Sequence, residues 1–445
     1  MRRLHYFLAF MALLSGIWLS CRKDIALDDS DKNFPIDLTA AAEGDSVVLS
    51  WENKRITQFQ RVIVLRSSEP MPTNISPLSP FNAQIVFNSN DATVNRFAEA
   101  LPFFFTKAYY KVFLQIDGRF IQSDNVSLQF SSFAEDGRPE AVFVHPDSNW
   151  IALSLLSNTS SPQLVLVDLN QNKILGRAAI NDLSDPQYSS ATFMRYQNKE
   201  YVQVLTNSQR YLRFELPQMI LVEEKTIPYQ SWSVLAQRND DLVFMTHYDY
   251  INSVTVRKTG NILNAIQSFE RPNNYYYVRK QYFMNASERK ILEVSPYDVT
   301  RFKVSATGTL IAGSSKSAGL TGYSPYASQM PIAPDGKYFI PNLSGAIYND
   351  ELGLEKMVPQ DPQRSILDYC FSADGNSVYA LDQGFFPNFS ARIRKFNLTD
   401  MQLVDVREFN GLQGKRLVLS ADKKLVFWFT NGQEPARFSF KMIQL

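Results

Sequence analysis

A short polar turn, recurring seven times, constrains this chain more than any other feature. Asp147, Asn198, Asp240, Ser287, Asp335, Asp374 and Asp422 each lie between two apolar runs, as in Val142-Phe143-Val144-His145-Pro146-Asp147 followed by Trp150-Ile151-Ala152-Leu153. From Asp147 to Asp422 six steps cover 275 residues, an average of about 46. Asp and Asn accept local backbone N–H bonds and Gly takes φ > 0, so two strands can reverse within a few residues. Further runs, Leu164 to Leu169 with Lys173 to Ala178 and Arg394 to Leu398 with Leu403 to Glu408, supply a third and a fourth strand. The last unit ends near Met442 without a fourth strand. A segment before Ala141 is expected to pair there, closing the ring, removing an open edge and coupling this domain to the one before it.

A four-stranded unit of this period is that of a propeller blade. The turns Pro334-Asp335-Gly336-Lys337, Ala373-Asp374-Gly375-Asn376 and Ala421-Asp422-Lys423-Lys424 resemble those of WD40-like and surface-layer-type propellers, whose turns read Ser-Pro-Asp-Gly. The paired Gly-His and Trp-Asp markers of true WD40 repeats are absent, so the resemblance is to the broader group. It implies a seven-bladed β-propeller over residues 137–445.

At 445 residues the chain exceeds one ordinary core, so two domains are expected. Between residues 36 and 132 the runs Ser46 to Trp51, Phe59 to Arg66 and Tyr109 to Ile116 alternate as strands do. This stretch resembles a fibronectin type III domain, an Ig-like sandwich. The resemblance makes Trp51 the core tryptophan of the second strand and Tyr110 the tyrosine-corner residue, and assigns both to packing. The fold class is thus all-β, a sandwich followed by a propeller. Pro70 to Pro80 is a longer connection than that family shows.

The first residues read as an address. Arg2 and Arg3 precede an apolar run from Leu4 to Leu19, then Ser20-Cys21 and an abrupt polar switch at Arg22. The run is short for a membrane-spanning helix. Cys21 at the expected cleavage point resembles a bacterial lipoprotein signal, although Trp18 and Leu19 depart from the usual box. The resemblance implies a signal over 1–21, a lipid on Cys21, a polar tether over 22–35, and a place in the cell envelope at the outer membrane, facing the periplasm or the cell surface.

Lys and Arg number 45 against 44 Asp and Glu, so no net field draws the chain to a polyanion and nucleic acid is not an expected partner. Two cysteines, Cys21 and Cys370, cannot build a disulfide framework. Of three histidines, His5 goes with the signal, His145 lies in a turn and His247 is isolated, so no metal spacing or His-based triad emerges. No cofactor motif is present. Cys370, within Leu367 to Phe371, reads as a buried strand residue.

The turns mark one propeller face, and the long aromatic loops fall on the other. Tyr248, Tyr275, Tyr277, Tyr323, Tyr326, Phe385 and Phe386 are the candidate ligand-binding residues, since aromatic rings give large contact area at low entropy cost. Some of these rings are expected instead to fill gaps between blades. Asp249 and Asp382 lie near the same face as a conceivable acid/base pair, although solvated loop carboxylates are the commoner case. The expected function is non-enzymatic binding of a glycan, peptide or envelope protein. Two alternatives stand beside it: a lyase or hydrolase acting on polysaccharide or peptide, and a structural subunit of an envelope complex, which an apolar flank would favour.

Overall fold

Alternating apolar and polar residues produce strands throughout, and the computed structural model contains no other regular element among its described residues. It describes residues 36–443 apart from 44–45, 53–57, 79, 81, 101–106, 130–132, 134, 157–160, 181–189, 207, 228–229, 238–240, 249–252, 271–279, 287, 295–298, 317–329, 342, 386–389, 411 and 431–436. The chain divides into two units, residues 1–132 and Phe133–Leu445.

In the first unit, strands Leu38–Glu43, Ser46–Trp51 and Arg96–Ala100 form one antiparallel sheet. Gln84–Ser89, Phe59–Ser67, Lys107–Ile116, Arg119–Gln122 and Val126–Gln129 form a second. Residues pointing inward from both sheets, among them Leu49, Trp51, Val64, Tyr110 and Val112, make one core. Trp51 and Tyr110 are buried. The Tyr110 hydroxyl donates to Glu99 Oε1 across the core (2.7 Å), and burial followed by that bond raises its pKa far above the usual phenol value.

The long connection after Ser67 is strapped onto the outer face of the second sheet. Met71 and Ile75 pack on Ile63, Leu65, Phe113 and Phe120. Three side chains of that sheet and its edge grip the strap's carbonyls: Lys111 Nζ donates to Pro72 (3.2 Å), Gln122 Nε2 to Thr73 (2.7 Å) and Asn125 Nδ2 to Met71 (2.7 Å). Burial pulls the Lys111 pKa below its ordinary value.

The second unit is a run of seven antiparallel sheets, the blades of a β-propeller. Blades 1 to 4 span residues 138–179, 190–226, 230–270 and 280–316, each with four strands. Blade 5 has three strands over 338–357, and its innermost position is reduced to a bridge from Ile332 to Phe339. Blade 6 spans 364–410 and blade 7 spans 413–443. The fourth strand of blade 7 comes from the front of the unit: Glu135–Asp136 pairs with Arg437–Ile443. The expected ring closure is therefore present, made by two residues.

Each recurrent polar turn joins the first strand of a blade to its second. Gln197 (φ 49°) and Asn198 (φ 63°) form a two-residue reversal, and Gly336 (φ 70°) and Gly375 (φ 72°) take the left-handed position in theirs. A side chain before the turn caps it from within. Ser372 Oγ accepts the N–H of Ser377 (2.9 Å) and Ser420 Oγ that of Lys424 (3.1 Å). In blade 1, His145 takes this place: its Nδ1 accepts the N–H groups of Asp147 (3.2 Å) and Ser148 (2.9 Å). That fixes the proton on Nε2, which faces Glu200 Oε2 of blade 2 at 3.4 Å.

The first strands are innermost, and the edge each turns toward the central channel has no neighbouring strand to pair with. Side chains of one blade serve the next instead. Thr192 Oγ1 accepts the N–H of Ala236 (3.4 Å), Ser233 Oγ that of Gln281 (3.1 Å), and Asp368 Oδ2 that of Leu417 (2.9 Å). Ser233 and Asp368 each follow a register shift in their strand, which turns the side chain toward the neighbouring blade.

Candidate functional site

Most of the aromatic residues singled out from sequence, Tyr275, Tyr277, Tyr323, Tyr326 and Phe386, lie outside the described residues, as do Asp249 and Cys21. Tyr248 ends the strand Leu242–Tyr248, and Phe385 follows the strand Ser377–Gly384. Both are second strands of their blades, so both positions lie at the end opposite the polar turns. Phe385 is 58% exposed.

Immediately beneath Phe385, blade 6 holds a buried ionic network. Asp382 is fully buried and pairs with Arg392 across the sheet, while Arg394 lies two positions on and shares that face. Arg364 enters from the first strand. Asp382 Oδ1 is 2.7 Å from Arg364 Nε and 2.9 Å from Arg392 Nε, and its Oδ2 is 2.7 Å from Arg394 Nε and 3.0 Å from Arg392 Nη2. Arg392 Nη2 also reaches Asp361 Oδ2 (2.6 Å), and Arg394 Nη1 donates to the Pro359 carbonyl (2.9 Å). The N–H of Gln363 and then the Arg392 guanidinium hold the Asp361 carboxyl below its ordinary range.

This corrects the conceivable acid/base role of Asp382. A general base needs an oxygen free to meet a proton. Both oxygens of Asp382 are occupied by guanidinium groups and neither touches solvent. The carboxylate ties together three strands and, through Arg392 and Arg394, the connection ahead of them.

The channel contains a cavity of about 340 Å³. Its walls are the first strands of blades 1 to 4, contributing Phe143, Ser190, Thr192, Phe193, Ser233, Gln281, Tyr282 and Phe283, with Met330 and Ile332 from blade 5. Among the described residues no lining side chain is charged. Gln281 was not singled out from sequence, and a lone glutamine between Lys280 and Tyr282 carries no local signal.

Cys370 is buried, which raises its thiol pKa well above the ordinary value. Among the described residues no group of three or more His, Cys, Asp or Glu side chains is placed to hold a metal ion. The side chain of His247 is not among those described.

Asp368, which links blades 6 and 7, gives a pH dependence with a definite sign. Burial raises its pKa to about 6, against opposing effects from Arg416 and from the N–H groups of Leu417 and Tyr369. The folded chain then keeps a proton that the unfolded chain has released. Between about pH 4 and pH 6 this group's contribution to stability falls as pH rises, by on the order of 3 kcal/mol, and levels off above. Denaturant titrations of wild type and Asp368→Asn across that window should show the slope reduced in the variant. An unchanged slope would place the pH dependence elsewhere.

No known protein-family model matches the chain, and no curated protein matches it. Among solved structures, the β-propeller domain of Myceliophteria thermophila Cps50 (Swd1) is similar over 70% of this chain and 98% of its own, at 11% identity and a TM-score of 0.49. Chaetomium thermophilum Raptor is similar over 70% of this chain and 28% of its own, at 8% identity and a TM-score of 0.49.

Proposed function

We propose that this chain is a non-enzymatic interaction scaffold of the cell envelope, anchored by a lipid on Cys21, whose propeller docks on a protein partner through its flank. The observation that carries this reading is where the exposed apolar side chains lie. Ile220, Ile266, Ile311, Leu354 and Val404 stand exposed on the outermost strands of blades 2, 3, 4, 5 and 6. An outermost strand is a sheet edge, normally blunted with charge, and apolar side chains there mark a surface that another protein covers. The outer strands of blades 1 and 7 carry no exposed large apolar side chain among the described residues. This pattern favours a subunit of an assembly.

The loop face supports a second reading, recognition of a glycan or peptide by Phe385 and its aromatic neighbours, because Phe385 stands exposed on the Asp382 clamp. The same clamp takes Asp382 out of the acid/base pair considered for a lyase or hydrolase. In the first unit, the sheet orders support the fibronectin type III-like reading, a spacer between tether and propeller.

One set of variants tests the proposal in detergent-solubilised, cross-linked full-length protein. Leu354→Lys with Val404→Lys is expected to remove the co-purifying partner, and Phe385→Ala to leave it. Cys21→Ser is expected to shift the protein from membrane to soluble fractions. Loss of the partner with Phe385→Ala alone would move docking to the loop face, and a membrane-bound Cys21→Ser would end the anchor reading.

A further inference from the structure

We propose that the free edge of blade 6 pairs with the same edge of a second copy of this chain, antiparallel about a two-fold axis through Val406. This rests on the flank being a docking surface, and it names what covers the blade 6 part of that flank.

The direction of the backbone at that edge follows from the ladder inside the blade. The Leu398 N–H donates to the Asn376 carbonyl (2.8 Å), and these two residues continue the pairing of Ser377 with Asn397. Bonding alternates along an antiparallel strand. Phe396, Arg394 and Arg392 therefore also turn their N–H and C=O groups to the second strand, and Lys395 and Ile393 turn theirs to the fourth. The partners of Lys395 and Ile393 there are Asp405 and Arg407. Val406, between those two, is left with its N–H and C=O turned outward. Residues 403–408 are all exposed, with Leu403, Val404 and Val406 as apolar members. Outward backbone groups beside apolar side chains are what an added strand pairs with.

The side chains select which strand is added. An axis through Val406 sets Val406 opposite Val406 of the second copy, where the two exchange a pair of backbone hydrogen bonds. The same register sets Asp405 opposite Arg407 of the second copy and Arg407 opposite its Asp405, so one symmetry matches both charges twice. Within one chain Asp405 and Arg407 lie side by side, Oδ2 to Nε at 3.3 Å, each nearly half exposed. Such a surface pair is weak, so little is lost when both bond across the axis instead. The bulge that leaves Val404 unpaired inside the blade bounds the regular ladder on one side. Other edges lack this self-match. On the outer strand of blade 2, the register that pairs Glu223 with Lys225 sets Glu224 against Glu224 of the second copy. On that of blade 5, Glu355 and Lys356 are adjacent, so their backbone groups point to opposite sides and the two cannot face each other about a two-fold axis.

Light scattering on detergent-solubilised full-length protein, with the detergent mass subtracted, decides the matter. The protein molar mass should double as concentration rises. Asp405→Arg and Arg407→Asp, both at exposed sites, should each lose the dimer, because the axis then opposes like charges. Mixed in equal amounts, the two variants should regain it, since every arginine again faces an aspartate. Val406→Cys should link to its own copy under mild oxidation, as residues opposed in a hydrogen-bonded pair have Cα atoms about 5.5 Å apart, within disulfide reach. Ile266→Cys, exposed on the blade 3 flank, should not. A dimer that persists in both charge variants, no recovery on mixing, or no link through Val406→Cys overturns the proposal. A wild-type chain that stays monomeric, while Leu354→Lys with Val404→Lys still strips a different co-purifying protein, overturns the second copy alone and leaves the flank as a docking surface.

Discussion

Asp382→Ala is expected to destabilise the propeller by about 3–5 kcal/mol, the range for removing one partner of a buried ionic network. The loss is large because of what remains. Arg364, Arg392 and Arg394 keep their charges in a site where the shared carboxylate was fully buried, and each had a nitrogen within 3 Å of it. Asp361 and the more distant Glu408 would be the only nearby anions among the described residues, and the side chains of both are more exposed than Asp382. Asp382→Asn retains the shape but loses the charge, so it should fall between alanine and wild type. Denaturant midpoints at constant m-value measure the effect. A loss below about 1 kcal/mol in the alanine variant would mean that water reaches the guanidinium groups and that the clamp is peripheral to stability.

The same cluster shows where sequence reading succeeds and where it stops. The polar turns were legible because their chemistry is local: Asp374 Oδ1 accepts the N–H of Asn376 two residues away, and Gly375 supplies the positive φ. The seven-unit spacing followed from those turns, and the missing fourth strand of the last unit followed from the count. Asp382 was visible as a carboxylate near a loop, and nothing local distinguished a solvated loop acid from a clamped one. Arg392-Ile393-Arg394 held the only hint, since two arginines two apart on a strand share one face and need an anion there. Matching them to Asp382 required the register of two neighbouring strands. The links between blades were hidden for the same reason. Ser233 and Asp368 look like ordinary strand residues until a register shift turns each toward a neighbouring backbone. Phe385 could be read as exposed from its loop, whereas the cavity exists only when the first strands of blades 1 to 4 are brought around one channel.

That dependence on neighbours has an energetic counterpart in how the ring is held. Blades 2, 3 and 6 each satisfy a backbone N–H of the next, through Thr192, Ser233 and Asp368, so the loss of one of these blades exposes a backbone group of its neighbour. Close approach reinforces the chain of contacts. A Cβ on Gly176 of blade 1 would meet the backbone of Pro217 and Gln218 in blade 2 at 2.7 Å, and one on Gly336 of blade 5 would strike the Met284 carbonyl of blade 4. Such packing leaves the flanks free to carry apolar side chains without their being needed for the core.

Phe133→Ala is expected to cost about 3–5 kcal/mol and to open the ring at its seam. Among the described residues two, Glu135 and Asp136, make the closing strand, and two backbone pairings are weak alone. Phe133 supplies the missing strength. It is buried against Trp428, Phe438 and Phe440, with ring centroids 6.4, 5.5 and 5.2 Å away. Its carbonyl accepts the hydroxyl of Ser439, and the pairs Arg437–Asp136 (3.2 Å) and Arg177–Glu135 (2.7 Å) add surface contacts of little weight. Removing the ring should therefore release the strand, and hydrogen exchange should rise first in Arg437–Ile443, ahead of blades 2 to 4. Phe133→Leu, which still fills most of the aromatic box, should keep most of the protection. If Phe133→Ala left exchange in Arg437–Ile443 unchanged, the ring would be closed by packing between first strands, and the seam would be as strong as any other join between blades.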